Sequence, residues 1–278
     1  MSFYKTSWIV LPVVVLLITL IGCQKISNKG ELFLPEGFVS TVYVDSIAET
    51  VRHMTVNDNG DLYVKFKRSS EAGVLAAIRD ADKDGIVDSL VKFGSYHIPQ
   101  RGSYSTAARI YKGYLYFSSQ LTVYRYKLDP DNLVPTGDAE IIVHDDHAHG
   151  SHEHIGKPIA FDNDGHIYVP FGAPNNACQN PKRTPMAPGQ DPCPLLKDHG
   201  GIWRFDAEKI GQTQHDGEKY ASGLRSIVAL DWNDEDNHLY SVVHGRDDLT
   251  RLFPNHFSQW ESALLPSEEF VKIEKGDH

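Results

Sequence analysis

One pattern recurs along the chain. A polar turn rich in Asn, Asp or Gly is followed by a short strand of alternating aliphatic and Tyr positions. It runs Asn57-Asp58-Asn59-Gly60-Asp61-Leu62-Tyr63-Val64 and returns as Lys112-Gly113-Tyr114-Leu115-Tyr116-Phe117. It comes back as Asp162-Asn163-Asp164-Gly165-His166-Ile167-Tyr168-Val169 and as Asp234-Glu235-Asp236-Asn237-His238-Leu239-Tyr240-Ser241. The aliphatic positions 62, 115, 167 and 239 are spaced by 53, 52 and 72 residues. A second apolar strand follows each of the first three copies: Ala77-Ile78-Arg79, Val123-Tyr124-Arg125-Tyr126 and Ile202-Trp203-Arg204-Phe205. From Leu115 to Val123 is 8 residues, but from Ile167 to Ile202 is 35, so the long step is an ordinary repeat carrying 27 extra residues. Helical periodicity is nearly absent. Hairpins repeating about every 52 residues predict an all-β chain of β-propeller blades. Residues 32–278 hold between four and five such units. Propellers close as rings of ~4–8 blades, and residues 271–278 show no closing strand pattern, so an incomplete ring is expected. A β-sandwich whose turns are alike by chance is the other reading.

The first residues follow a different pattern. Lys5 is the only charge before Cys23, and Ile9 to Ile21 is an apolar run of thirteen. That is short of the ~20 residues that span a bilayer and matches the apolar core of a secretory signal. It ends Leu20-Ile21-Gly22-Cys23, which resembles a bacterial lipobox. The expectation is a signal over residues 1–22, a lipid-bearing Cys23 as mature N-terminus and a polar tether over 23–31, with the propeller from 32 to 278. Gln24 after the cysteine favours the outer membrane, periplasmic side. An uncleaved anchor helix or a plain secretory signal are the alternatives. Export puts Cys178 and Cys193 in an oxidising compartment. They lie in the insertion, where seven of the 15 prolines fall between Pro170 and Pro194. A bridge across this loop of ~15 residues is worth roughly 3 kcal/mol, and a disulfide is expected.

Composition narrows the function classes. At 41% hydrophobic and 23% charged residues the chain is globular. Asp and Glu outnumber Lys and Arg by 37 to 27, a net charge of −10. No basic field exists to displace phosphate counterions, so nucleic acid is excluded as a partner.

Three places carry candidate chemistry. His144, His147, His149, His152 and His154 fall within eleven residues, among Asp145, Asp146 and Glu153. His-x-His spacing sets two imidazoles on one side of an extended segment, which suits a transition metal. A solvated loop in which one histidine acts alone is the other reading. Gly223-Leu224-Arg225 precedes an apolar strand from Ile227 to Trp232. Asp80, Asp82, Asp84 and Asp88 alternate around Gly85, a spacing that suits calcium. A metal-free acidic turn reads equally well, since position 12 from Asp80 is Val91 and not the bidentate Glu of an EF-hand.

Around these residues the sequence resembles the glucose/sorbosone dehydrogenase family, from about Leu32 to the C-terminus. The segments that carry the likeness are Leu34-Pro35-Glu36-Gly37-Phe38, His154-Ile155-Gly156-Lys157-Pro158-Ile159-Ala160-Phe161 and Gly200-Gly201-Ile202-Trp203-Arg204-Phe205-Asp206. Gly223-Leu224-Arg225 and His244-Gly245-Arg246-Asp247-Asp248-Leu249 complete it. The resemblance implies a six-bladed propeller and oxidation of a sugar or sugar aldehyde with pyrroloquinoline quinone (PQQ) and Ca²⁺. Electrons would pass to an external acceptor such as a cytochrome c. By the same resemblance His154 is the general base, and Arg225 and His244 lie at the cofactor. Gly245 and Arg246 would offer backbone carbonyls to the cofactor calcium. Where the family has Asn-Pro after the arginine, this chain has Ser226-Ile227, so that amide is missing. The readings from other classes are a propeller lipoprotein that binds a protein or glycan without catalysis, and a metal-binding lipoprotein using the His144–His154 cluster.

Overall fold

A computed structural model of the chain describes residues 32–96, 106–147, 154–265 and 268–278. Cys23, the predicted signal and the predicted tether fall outside them, as do His149 and His152. The chain divides into two units, Met1–Asp45 and Ser46–His278. In the first, residues 32–45 carry turns and bends only. Among the described residues no helix is long and apolar enough to cross a membrane.

The second unit is built of four sheets in chain order, antiparallel except for one two-residue strand. The first holds β1 (Val51–Val56), β2 (Leu62–Ser70), β3 (Gly73–Arg79) and β4 (Ser89–Phe93). The second holds β5 (Ala107–Tyr111), β6 (Tyr114–Ser118), β7 (Thr122–Lys127) and β8 (Glu140–His144). The third holds β9 (Ala160–Phe161), β10 (His166–Phe171), β11 (Gly201–Asp206) and, beyond the two-residue β12 (Gln212–Thr213), β13 (Glu218–Ser222). The fourth holds β14 (Ile227–Asn233), β15 (His238–Val243) and β16 (Glu269–Ile273). Each recurring turn opens the second strand of a sheet: Leu62, Leu115, Ile167 and Leu239 start β2, β6, β10 and β15 or lie one residue in. The 27 extra residues fall between β10 and β11, where the count placed them.

In the first three sheets the second and third strands are largely buried, because a neighbouring blade covers them. This is why β3 reads Val74-Leu75-Ala76-Ala77-Ile78 without alternation. The core is accordingly three layers, one per blade boundary. Tyr63, Leu75 and Ala77 pack on Phe117 and Tyr124. Tyr116, Val123 and Ile142 pack on Ile167, Phe171 and Trp203. Tyr168 and Ile202 pack on Leu230 and Leu239. Stacked rings bridge two boundaries, Tyr111 on Phe161 at 4.4 Å and Tyr168 on Trp232 at 5.4 Å. Such pairs add ~0.5–1.5 kcal/mol each beyond the area they bury. This blade-on-blade stacking is a four-blade propeller arrangement.

Before the third recurring turn the strand is only Ala160–Phe161, since Pro158 has no N–H to give a ladder. The strand from Ile227 runs to Asn233. One pairing gives no sequence signal. β12 pairs in parallel with β8 and ties the third blade's connection to the second blade's edge.

Because every blade is a meander, connections alternate between two ends. The β8–β9, β10–β11, β13–β14 and β15–β16 connections share one end. The Asp80–Asp88 turn, between β3 and β4, lies at the other.

Candidate active site

His154 stands just before β9, at φ 57°, a left-handed conformation that is uncommon for a residue with a Cβ. Tight packing enforces it. A Cβ on Gly172 would overlap the His154 carbonyl, so the bare glycine lets the two backbones meet. The imidazole is fixed from both sides. Nδ1 donates to the Ala173 carbonyl at 2.7 Å, and Nε2 accepts from Arg225 Nη1 at 2.8 Å. A carbonyl can only accept and a guanidinium can only donate, so the partners set the tautomer. The ring is neutral with its lone pair on Nε2, the form a general base needs.

Arg225 is held just before β14. Nη1 also donates to Asn176 Oδ1 at 2.7 Å and lies 3.8 Å from Asp247 Oδ1. Nη2 donates to the His244 carbonyl at 3.1 Å and to the Gly245 carbonyl. One guanidinium thus draws together the connections before β9, after β10, before β14 and after β15. Asn176 closes the group by donating to Asp247.

The insertion supplies Asn176 and has almost no regular structure. Amide side chains stand in for a ladder. Asn175 Oδ1 accepts from Cys178 N at 2.6 Å, and Gln179 Nε2 donates to the Thr184 and Ala187 carbonyls at 2.9 and 2.6 Å. The Cys178–Cys193 disulfide, Cα to Cα 6.0 Å, closes it. It docks on α1 (Leu249–Leu252) through Arg183–Asp248 and through Met186 N to the Leu252 carbonyl at 2.7 Å. The bond to Arg251, reinforced by Arg183, holds the Asp248 carboxyl below its ordinary range.

The remaining candidates fall out as follows. The His244 ring turns away to Glu268, Nδ1 to Oε1 3.0 Å, so its contribution to the cluster is its carbonyl. The Arg246 guanidinium lies over the Phe253 ring at 5.2 Å. The described histidines of the 144–154 segment take separate partners: His144 meets Thr122, His147 meets Asp145, and His154 meets Ala173 and Arg225. At the opposite end, Asp80, Asp82 and Asp88 bring carboxylate oxygens within 4.8 Å of one another, while Asp84 caps Ile86 N at 2.8 Å instead. Asn176 and Asp247 were not singled out from sequence. Asp247 lies inside the segment His244–Leu249 that carries the family likeness, whereas nothing about Asn176 in its Pro-rich loop distinguishes it.

A cleft lined by Ala173, Asn176, Leu195, His199, Arg225 and His278 opens beside the cluster. The donor set around Arg225 suits calcium. The His244 and Gly245 carbonyls and Asn176 Oδ1 are hard oxygen ligands, already gathered about a positive charge. Arg225 is the one Arg or Lys among the described residues lining the cleft, and offers an anionic quinone a single guanidinium. A separate groove by Lys67, Arg68, Tyr96 and Gln120 touches none of these residues.

The TrAA12-like family model matches residues 34–274, nearly the whole chain. The chain belongs to the TrAA12-like family. No similar sequence was found among curated proteins. Among solved structures, the family AA12 enzyme of Trichoderma reesei superposes with a TM-score of 0.61 at 16% identity, covering 84% of this chain and 54% of that one. The PQQ domain of Coprinopsis cinerea pyranose dehydrogenase, in its holo form, gives 0.52 at 16% identity, covering 72% and 45%. A Thermus thermophilus protein named as a candidate oxidoreductase (glucose dehydrogenase) gives 0.51 at 16%, covering 83% and 63%. At these identities the likeness is one of fold. This TrAA12-like chain spans about half to two thirds of the length of these structures.

Proposed function

We propose that this TrAA12-like chain carries the base and the arginine of a PQQ-dependent sugar dehydrogenase. It would oxidise an aldose or sugar aldehyde at the cell envelope. One observation carries the reading: a neutral histidine whose Nε2 lone pair faces an arginine that is itself wrapped in calcium-type oxygen donors. When bound, the quinone supplies the two-electron acceptor for a hydride, and calcium polarises it. His154 takes the hydroxyl proton of the sugar's oxidised carbon on Nε2. Ala173 holds the opposite ring nitrogen, so the imidazole keeps its direction as it becomes cationic. Arg225 would meet the quinone oxygens, where its charge would stabilise the negative charge that develops on them. The His244, Gly245 and Arg246 carbonyls are the proposed calcium ligands. Asn176 offers an amide beside Arg225.

The address is also a proposal: lipidation at Cys23, an envelope anchor and an external acceptor of the cytochrome c class rest on sequence pattern. The test is PQQ titration by absorbance with Ca²⁺ present, then dye reduction over a panel of aldoses. Quinone binding with sugar-dependent reduction is expected, and H154A should cut turnover by ~10²–10⁴-fold while leaving binding nearly intact. Binding of PQQ without turnover on any sugar would favour the non-catalytic reading. No PQQ binding would overturn the cofactor.

A further inference from the structure

At the boundary of the second and third blades two imidazoles from separate connections lie beside a third, that of His147. His147 follows β8, His199 precedes β11, and His215 lies in the 3-10 turn Gln214–Asp216. The His147 and His199 rings are 4.9 Å apart between centres, and those of His147 and His215 are 6.4 Å apart. Two imidazoles on one tetrahedral Zn²⁺, with Zn–N of ~2.0–2.1 Å, hold their ring centres about 5 Å apart. The first pair already has that spacing. The second needs a shift of little more than an ångström, and His215 is exposed and able to turn.

The surroundings are those of a ligand histidine. Asp145 Oδ1 accepts from His147 Nδ1 at 2.9 Å, which puts the ring's lone pair on Nε2. A carboxylate in that role orients metal-bound histidines and raises their basicity. Asp145 is itself buried and balanced by the buried Lys157, Nζ to Oδ2 3.1 Å. Gln214, next to His215, is 2% exposed. Its Nε2 donates to the carbonyl of Asp198, next to His199, at 2.7 Å. Its Oε1 is buried with no hydrogen-bond partner. Buried acceptors rarely stay unsatisfied.

We propose that His147, His199 and His215 bind one divalent transition metal ion of the zinc class, oriented by Asp145 and bordered by Gln214. The site uses neither His154 nor Arg225, although His199 also borders the cleft beside them, and it does not depend on the dehydrogenase reading. It would pin the β8–β9 connection of the second blade to the β10–β11 and β11–β13 connections of the third.

The full chain, freed of metal with EDTA, is titrated with Zn²⁺ alone by calorimetry and by competition with a chromophoric chelator. One ion per chain is expected, at micromolar affinity or tighter. H215A, at an exposed position outside the core, should weaken binding by about 10-fold or more with an unchanged circular dichroism spectrum. D145N should weaken it by about 10–100-fold. H149A/H152A should leave it intact. Absence of stoichiometric Zn²⁺ binding would overturn the proposal. So would binding that survives H199A/H215A, or that is lost in H149A/H152A while H215A has no effect.

Discussion

At the scale of single residues, two positions show how the fold forces an atom into an uncomfortable place. Gly172 exists as a glycine because His154 occupies the space of its side chain. G172A should therefore displace the His154 backbone while removing no polar contact. We expect turnover in the PQQ assay to fall by ~10²-fold, the cost of misplacing a reacting group by about 1 Å, with the melting temperature changed far less. Equal losses in both would make Gly172 a packing residue only. Lys65 is the second case. Its ammonium is fully buried in the first blade, donating to the Phe66 carbonyl at 3.1 Å and to Tyr96. Burial pulls its pKa down to about 7. The unfolded chain keeps this proton to about pH 10.4, so between about pH 7 and 10 unfolding takes up a proton and stability rises with pH. The gain is on the order of 3 kcal/mol across that window. K65M should abolish the slope. Urea unfolding of both proteins from pH 6.5 to 10 measures it, and parallel curves would show that Lys65 is not the titrating group.

At the scale of elements, the insertion between β10 and β11 is where covalent and side-chain contacts take over from sheet. Its bridge, its amide-to-backbone bonds and its docking on α1 together place Asn176 against Arg225. C178S/C193S should lose roughly 3 kcal/mol of stability, the chain-entropy value for a loop of ~15 residues. Limited proteolysis should then cut between residues 172 and 200, where the oxidised protein resists. Resistance unchanged by reduction would mean that the side-chain network alone holds the loop. The contrast between insertion and blades also marks what could be read in advance. The turn-then-strand repeat was legible because the aliphatic position of the second strand is buried or half-buried in each blade, and the first three blades largely bury that strand, which demands a similar aliphatic-Tyr run each time. His154 and Arg225 were legible through a family resemblance, whose segments surround them. Asn176 was not, because an irregular loop has no period to betray which of its polar residues points inward. The meeting of His147, His199 and His215 was equally hidden, since it joins positions 52 and 68 residues from the first by blade packing alone.

At the scale of the whole molecule, charge decides how an anionic cofactor would be received. The chain carries −10 overall, so its distant field opposes a tricarboxylate. Near the cleft the balance is close to even: Arg225 faces Asp247, and Arg183 and Arg251 are paired with Asp248. Beyond about 10 Å, charges are largely screened at 0.1 M salt. Without calcium, then, PQQ should feel mainly the long-range repulsion, and its affinity should rise a few-fold as salt is raised from ~10 to ~150 mM, a range over which the Debye length shrinks from about 30 to 8 Å. With calcium held on the His244 and Gly245 carbonyls, two local positive charges are added and the dominant interaction becomes attractive. The same salt change should now weaken binding. PQQ titrations by absorbance at two salt concentrations, with Ca²⁺ and with EDTA, read the sign directly. A salt effect of the same sign in both would place the calcium away from the quinone, and the carbonyl cradle around Arg225 would then serve the arginine alone.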